Sequence, residues 1–155
     1  MKITIFTDGS SKGNPGKGGY GIILSSGKHY KELSQGFRYT TNNRMELMAV
    51  IIGLESLKKN RSEVLIVSDS KYVVDAVVKG WVFNWYKKSF KGKKNADLWK
   101  RFLKTYNMHK VEFKWIKGHA GHPQNEKCDF LAVCASENEN LLVDKGYEEL
   151  NSFSV

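Results

Sequence analysis

Val64-Leu65-Ile66-Val67-Ser68-Asp69-Ser70 is the stretch on which the fold turns. Four apolar residues in a row, three of them β-branched, read as a strand buried on both faces, the kind found inside a parallel sheet. Ser70 stands where it can cap a helix over residues 70–79, and Asp69 closes the strand. The same ending occurs upstream. Residues 2–7 alternate, with Ile3 and Ile5 against Thr4 and Phe6, and this strand runs into Asp8 and Gly9. In an open α/β sheet, sites form at the C-terminal ends of parallel strands. If these two strands are parallel neighbours, Asp8 and Asp69 lie side by side.

The rest of the chain fits around this pair. Gly9 to Gly19 reads as a glycine-rich loop holding Asn14-Pro15-Gly16. Residues 20–24 and 29–37 read as strands joined by a turn at Ser26-Gly27, which suggests an antiparallel meander of three strands. Residues 43–59 are helical, apolar nearly all round, and therefore a buried helix. A short helix over 81–86, a helix over 95–106 capped by Asn95, a strand over 111–116 and a helix over 125–136 follow. On that last helix Cys128, Leu131, Ala132 and Ala135 share a face. The order β-β-β-α-β-α-α-α-β-α predicts an α/β fold, a mixed five-stranded sheet flanked by helices. At 155 residues this is one domain. Residues 138–155 are polar and acidic and are expected to be poorly ordered.

Composition removes several classes. No apolar run approaches the ~18 residues of a membrane span. The first residues are too short and too alternating for a secretory signal. Cys128 and Cys134 make no disulfide framework; on one helix, six residues apart, their Cα atoms would be ~9 Å from each other. Two free thiols fit a reducing cytoplasm. The net charge of +9 is concentrated. Lys79 to Lys117 holds 12 Lys/Arg against Asp97 and Glu112 alone. Trp81, Phe83, Trp85, Tyr86, Phe90 and Trp99 are interleaved with these bases. A lysine face over an aromatic core would look the same. The concentration in one quarter of the chain favours nucleic acid, whose phosphates meet lysines and whose bases or sugars pack on aromatic faces.

Four acids need explaining. Taken singly, Asp8 and Asp69 are strand-end turn formers or caps, and Asp129 is an exposed helix acid. Glu46 is harder to dismiss. Its helix neighbours at +3, +4 and +7 are Ala49, Val50 and Gly53, and a carboxylate on that apolar face is costly unless paired or bound to a cation. The structural alternative is a capping box with Asn43 as cap. Clustered carboxylates raise one another's pKa and destabilise the fold without a counter-ion. Hard divalent cations take oxygen ligands, and two of them ~3.5–4 Å apart can drive in-line phosphoryl displacement. A zinc site from His119, His122, Cys128 and Cys134 fails, because the two thiols would point ~120° apart on their helix. His119 lies between Gly118 and Gly121, so its imidazole is free to move and to transfer a proton or escort product. His122 precedes a proline and reads as structural.

Several motifs together resemble bacterial type 1 ribonuclease H. These are Ile5-Phe6-Thr7-Asp8-Gly9-Ser10, Gly13-Asn14-Pro15-Gly16, Gly18-Gly19-Tyr20-Gly21, Thr40-Thr41-Asn42-Asn43-Arg44-Met45-Glu46-Leu47, Ser68-Asp69-Ser70-Lys71-Tyr72-Val73, Trp115 through Asp129, and Lys145-Gly146-Tyr147. The similarity runs in one order over residues 3–150. It implies an endonuclease that cuts the RNA strand of RNA–DNA hybrids with two divalent ions, normally Mg²⁺ with Mn²⁺ as a substitute, leaving 3′-hydroxyl and 5′-phosphate ends. By the same resemblance Asp8, Glu46, Asp69 and Asp129 are the metal ligands and His119 the mobile histidine. Asn14 and Asn42 approach RNA 2′-hydroxyls. Thr41, with Arg44 close by, grips a DNA-strand phosphate. Residues 80–97 form the basic protrusion, and Lys71, Trp81, Trp85, Lys87, Lys88 and Asn125 are further substrate contacts. A monomer in the cytoplasm, with no membrane partner, is the simplest setting.

Two departures stand out. The family often has glutamine where this chain has Lys71, which adds charge but loses the amide's acceptor. The protrusion is several residues shorter than in the best-known bacterial members. Hybrid binding is expected to survive with altered affinity or salt dependence. Two rival readings are a module that holds hybrids without cutting and a DNA-strand nuclease of the same broad fold. The full carboxylate set argues against the first, and residues 40–46 with the protrusion argue against the second.

Overall fold

The computed structural model describes residues 2–152, and side chains up to Leu150. Three antiparallel strands come first: β1 (Lys2–Lys12), β2 (Gly16–Ser26) and β3 (His29–Thr40). Helix α1 (Asn42–Glu55) then carries the chain across the sheet to β4 (Glu63–Ser68), which pairs with β1 in parallel, with Phe6 opposite Val67. After α2 (Lys71–Val78), α3 (Trp81–Lys87) and α4 (Ala96–Tyr106), β5 (Lys110–Trp115) adds in parallel to β4. Helices α5 (Pro123–Ser136) and α6 (Lys145–Ser152) complete the described chain. The strand order is β3-β2-β1-β4-β5, the mixed five-stranded sheet expected. Among the described residues no helix is long and apolar enough to cross a membrane.

Helices α1 and α5 cover opposite faces. Ile22 reaches Gly53 of α1, while a side chain on the adjacent Gly21 would run into Cys128 of α5. Adjacent strand residues point to opposite faces, so this one pair fixes the sides. Side chains on Gly19, Gly21 and Gly36 would all collide with α5 backbone. Their absence lets that helix lie close to the sheet. This corrects the expected loop over Gly9–Gly19. The ladder continues to Lys12 and resumes at Gly16, with only the turn at residues 13–15 between; Gly13 makes that turn, while Gly9 and Gly19 serve close helix approach.

Other boundaries move for identifiable reasons. Helix α1 ends at Glu55, with Ser56 as C-cap, and does not extend to residue 59. Its N-cap is Thr41, whose hydroxyl accepts from the Arg44 N–H at 3.2 Å. The capping box with Asn43 does not form, and Glu46 is left free to point inward. Ser70 caps α2 as expected. Asn95 precedes α4 in a left-handed conformation, but its side chain makes no cap. It accepts from Arg44 and donates to the Tyr72 hydroxyl instead.

The C-terminal segment is a larger correction. Its polar composition pointed to poor order, yet Leu142 exchanges backbone hydrogen bonds with Gly36 and Arg38 of β3. Asp144 is buried, and Arg38 pairs with Glu148 of α6. Residues 153–155 of that expectation lie outside the described residues. Cys128 is buried and Cys134 exposed, and both are free thiols.

Candidate active site

The β1–β4 register decides the site. With Phe6 opposite Val67, Asp8 and Asp69 each stand two residues further on, level with each other at the strand ends. Glu46 arrives from α1, over one face of the sheet. It can come this close because Gly9 has no side chain; a Cβ there would strike the backbone of Met45 and Glu46. The Gly9 N–H donates to Glu46 Oε1 at 2.5 Å and to Asp8 Oδ1 at 3.0 Å. Asp8, Glu46 and Asp69 each place one carboxylate oxygen within 4.8 Å of the others. Asp129 comes from α5, over the other face, near enough to Asp8 to raise its pKa, but it does not join the three that meet within 4.8 Å.

This crowding has an electrostatic cost. Asp8 is 5% exposed and Glu46 6%. Burial first, then the charge of Asp69 and the carboxyl of Asp129, push the Asp8 pKa up to about 8. Burial and the charges of Asp8 and Asp69 hold Glu46 well above the usual carboxylate range. Both groups resist ionisation because they are buried beside like charges, and among the described residues no cationic side chain forms an ion pair with them. The donor set is entirely hard oxygen, which fits a divalent cation of the Mg²⁺ or Mn²⁺ type and not a thiolate-seeking metal.

The rim of the site is held from β5. The Trp115 indole donates to the Asp69 carbonyl at 3.0 Å, and Lys71 Nζ lies 4.9 Å from the centre of the Trp115 ring. A side chain on Gly118 would meet the Asp69 carboxylate. His119 is the next residue, exposed and in a left-handed conformation, on the loop that leads into α5. Across the site, the Asn42 N–H donates to Asn14 Oδ1 at 3.1 Å, so the first β-hairpin and the start of α1 are joined. Trp81 is exposed beneath Lys79. Trp85 is half-buried, edge-on to Trp99 and covered by Lys93, and Lys87 and Lys88 are exposed.

Two expected substrate contacts are placed differently. Arg44 is 2% exposed, and all five of its N–H groups are taken. Nε and Nη2 donate to Asp144, Nη1 and Nη2 to Asp97, and Nη1 also to Asn95. No donor remains for a phosphate, so Arg44 is structural here. Asn125 is 4% exposed, one turn before Asp129, so it is not a surface contact. Its Nδ2 has no hydrogen-bond partner among the described residues. The sequence reading missed Asp97, Asp144 and Trp115 as partners of site residues. An isolated acid carries no periodic signal, and nothing near Asp144 in sequence marks it as buried.

Known proteins agree with this geometry. The RNase H family model matches residues 1–137. The Ribonuclease H of Desulforamulus reducens is 52% identical over 148 residues, covering 92% of each chain. That of Trichodesmium erythraeum is 53% identical, covering 95% of this chain and 96% of its own. Among solved structures, LC9-RNase H1 superposes with a TM-score of 0.77 at 33% identity, over 96% of this chain and 80% of that one. LC11-RNase H1 in complex with an RNA/DNA hybrid gives 0.66 at 25% identity, over 87% of this chain and 96% of that one. With a matching family model over most of its length and relatives about half identical nearly end to end, this chain belongs to the ribonuclease H family of nucleases.

Proposed function

We propose that this protein is an endonuclease that hydrolyses the RNA strand of RNA–DNA hybrids, leaving 3′-hydroxyl and 5′-phosphate ends, with Mg²⁺ as its ion and Mn²⁺ as a substitute. One observation carries the reading. Three carboxylates share one spot at the ends of parallel strands, and among the described residues no cationic side chain forms an ion pair with them. Asp8, Glu46, Asp69 and Asp129 would hold two ions. When bound, such ions neutralise charge, activate water and stabilise the leaving oxygen of in-line phosphoryl transfer.

The chain's own residues orient the substrate. Asn14 and Asn42, already linked to each other, offer short polar groups to RNA 2′-hydroxyls, which is how a protein tells RNA from DNA. Thr41 meets a phosphate of the DNA strand at the start of α1. Trp81, Trp85, Lys87 and Lys88 line the protrusion for stacking and charge, and Lys71 adds a cation at the rim beside Trp115. His119, on its exposed turn, moves a proton at the leaving 3′ oxygen or escorts the product. A relative solved with an RNA/DNA hybrid supports the substrate class. The working setting is a monomer in a reducing cytoplasm, in keeping with the free thiols.

A cleavage gel tests the proposal. End-labelled RNA is offered alone, paired with RNA and paired with DNA, with Mg²⁺ or Mn²⁺, beside an Asp69→Asn control and a chelator control. Cutting of the hybrid alone, lost in both controls, is expected. Hybrid binding without cutting would overturn the catalytic reading in favour of a binding module.

A further inference from the structure

We infer that Asp144 is a positioning residue for hybrid binding: through Thr40 and Arg44 its buried carboxylate holds the start of α1, where Thr41 and Asn42 meet the substrate. This rests on the function proposed above. Asp144 lies beyond residues 1–137, which the family model matches, and about 100 residues from the groups that it grips.

The geometry is specific. Thr40 Oγ1 donates to Asp144 Oδ2 at 2.7 Å. Arg44 Nε donates to the same oxygen at 2.8 Å, and Nη2 donates to Oδ1 at 2.9 Å. One carboxylate thus holds the residue before the Thr41 cap and the third residue after it. Thr41, Asn42 and Asn43 are bracketed between. Asp144 is anchored in turn by α6, whose Glu148 N–H donates to its carbonyl at 2.9 Å. Arg44 also reaches Asp97 and Asn95, at the start of α4 where the basic protrusion ends. Three distant segments therefore meet at one guanidinium. Their outer side forms a pocket of about 380 Å³, whose lining includes Asn14, Thr41, Lys94, Asn95 and Tyr147. Because Glu46 lies one turn beyond Asn42, the bracket also sets where the substrate sits relative to the carboxylates.

Two substitutions separate positioning from bulk stability. Asp144→Asn keeps the shape and removes the charge. Thr40→Val removes one side of the bracket and changes no charge, and Thr40→Ser restores the hydroxyl. Hybrid cleavage kinetics are read well below each variant's melting temperature, with hybrid affinity measured separately under chelator. Both disruptive variants are expected to raise KM and weaken hybrid affinity roughly 3- to 10-fold, the equilibrium effect of about one lost hydrogen bond. The kcat should stay within about twofold, because the carboxylates are untouched. The salt dependence should keep its slope, since no phosphate-neutralising cation is lost, and Thr40→Ser should behave as the parent does. A lowered melting temperature with KM and affinity unchanged would overturn the inference. So would tighter binding by Asp144→Asn with Thr40→Val unaffected, which would mean that its charge matters and its grip does not. If the parent protein binds hybrid but does not cut it, the catalytic proposal fails, and the affinity arm still decides the bracket.

Discussion

Helix α1 buries two charges of opposite sign two residues apart, and they are treated in opposite ways. Arg44 finds a partner for every N–H, and opposite charges on both sides hold its proton more firmly. Glu46 finds one backbone donor and otherwise burial and like charges, which drive its pKa upward. A buried charge that is fully answered belongs to the architecture. A buried charge set against its own kind is costly, and it marks the place where an external cation is expected.

The largest expected effect comes from the unanswered side. Asp8→Asn should lower hybrid cleavage by about 10³-fold or more. In the absence of divalent ions it should raise the melting temperature, by roughly 2–6 °C, because it relieves repulsion. Retained cleavage with a lowered melting temperature would break the contrast between the two charges. The answered side should show the reverse. Arg44→Met leaves Asp144 and Asp97 without their cation and should cost about 3–5 kcal/mol in urea unfolding. A loss below about 1 kcal/mol would show the network to be ornamental.

A pH series sharpens the same contrast. Asp8 holds its proton more tightly folded, with a pKa of about 8, than unfolded, near 3.8. Its contribution to stability is therefore complete below pH ~4 and is lost as pH rises toward 8. The metal-free protein should lose stability from pH 5 to pH 8, Asp8→Asn should lose less, and added Mg²⁺ should suppress the trend. Identical slopes for the parent and Asp8→Asn would reject the account in which burial and neighbouring charge hold the Asp8 proton. The smallest effect is expected at the protrusion. Replacing Lys87, Lys88, Lys93 and Lys94 by glutamine should raise KM a few-fold, flatten its salt dependence and leave kcat within about twofold. A large fall in kcat would give the protrusion a role in positioning the cut strand.

Much of the fold was legible because its signals are local. The β-branched run at Val64–Val67, the alternation before Asp8 and the apolar circumference of α1 each state burial directly. From these follow the parallel pairing of β1 with β4 and the meeting of Asp8 with Asp69. Glu46 was legible for a negative reason, since nothing else on its helix face could satisfy a carboxylate. The glycines misled because sequence shows that a side chain is missing, not what fills the space. In β2 it is α5. Arg44 misled because its neighbours in sequence, Thr41 and Asn42, lie at the site, while its partners stand 53 and 100 residues away.

From the sequence alone came the parallel pair of strands, the meeting of Asp8 with Asp69 at their ends, and the basic quarter of the chain, because hydrophobic period and charge density are properties of contiguous residues; Asp129 joined the set only by resemblance. Only the tertiary structure decided that Arg44 is spent inside the protein, that the polar C-terminal segment folds back onto β3, and that Asp144 brackets the start of α1. Those outcomes depend on which distant donor reaches which buried acceptor, and hydrogen bonds between segments a hundred residues apart leave no pattern along the chain.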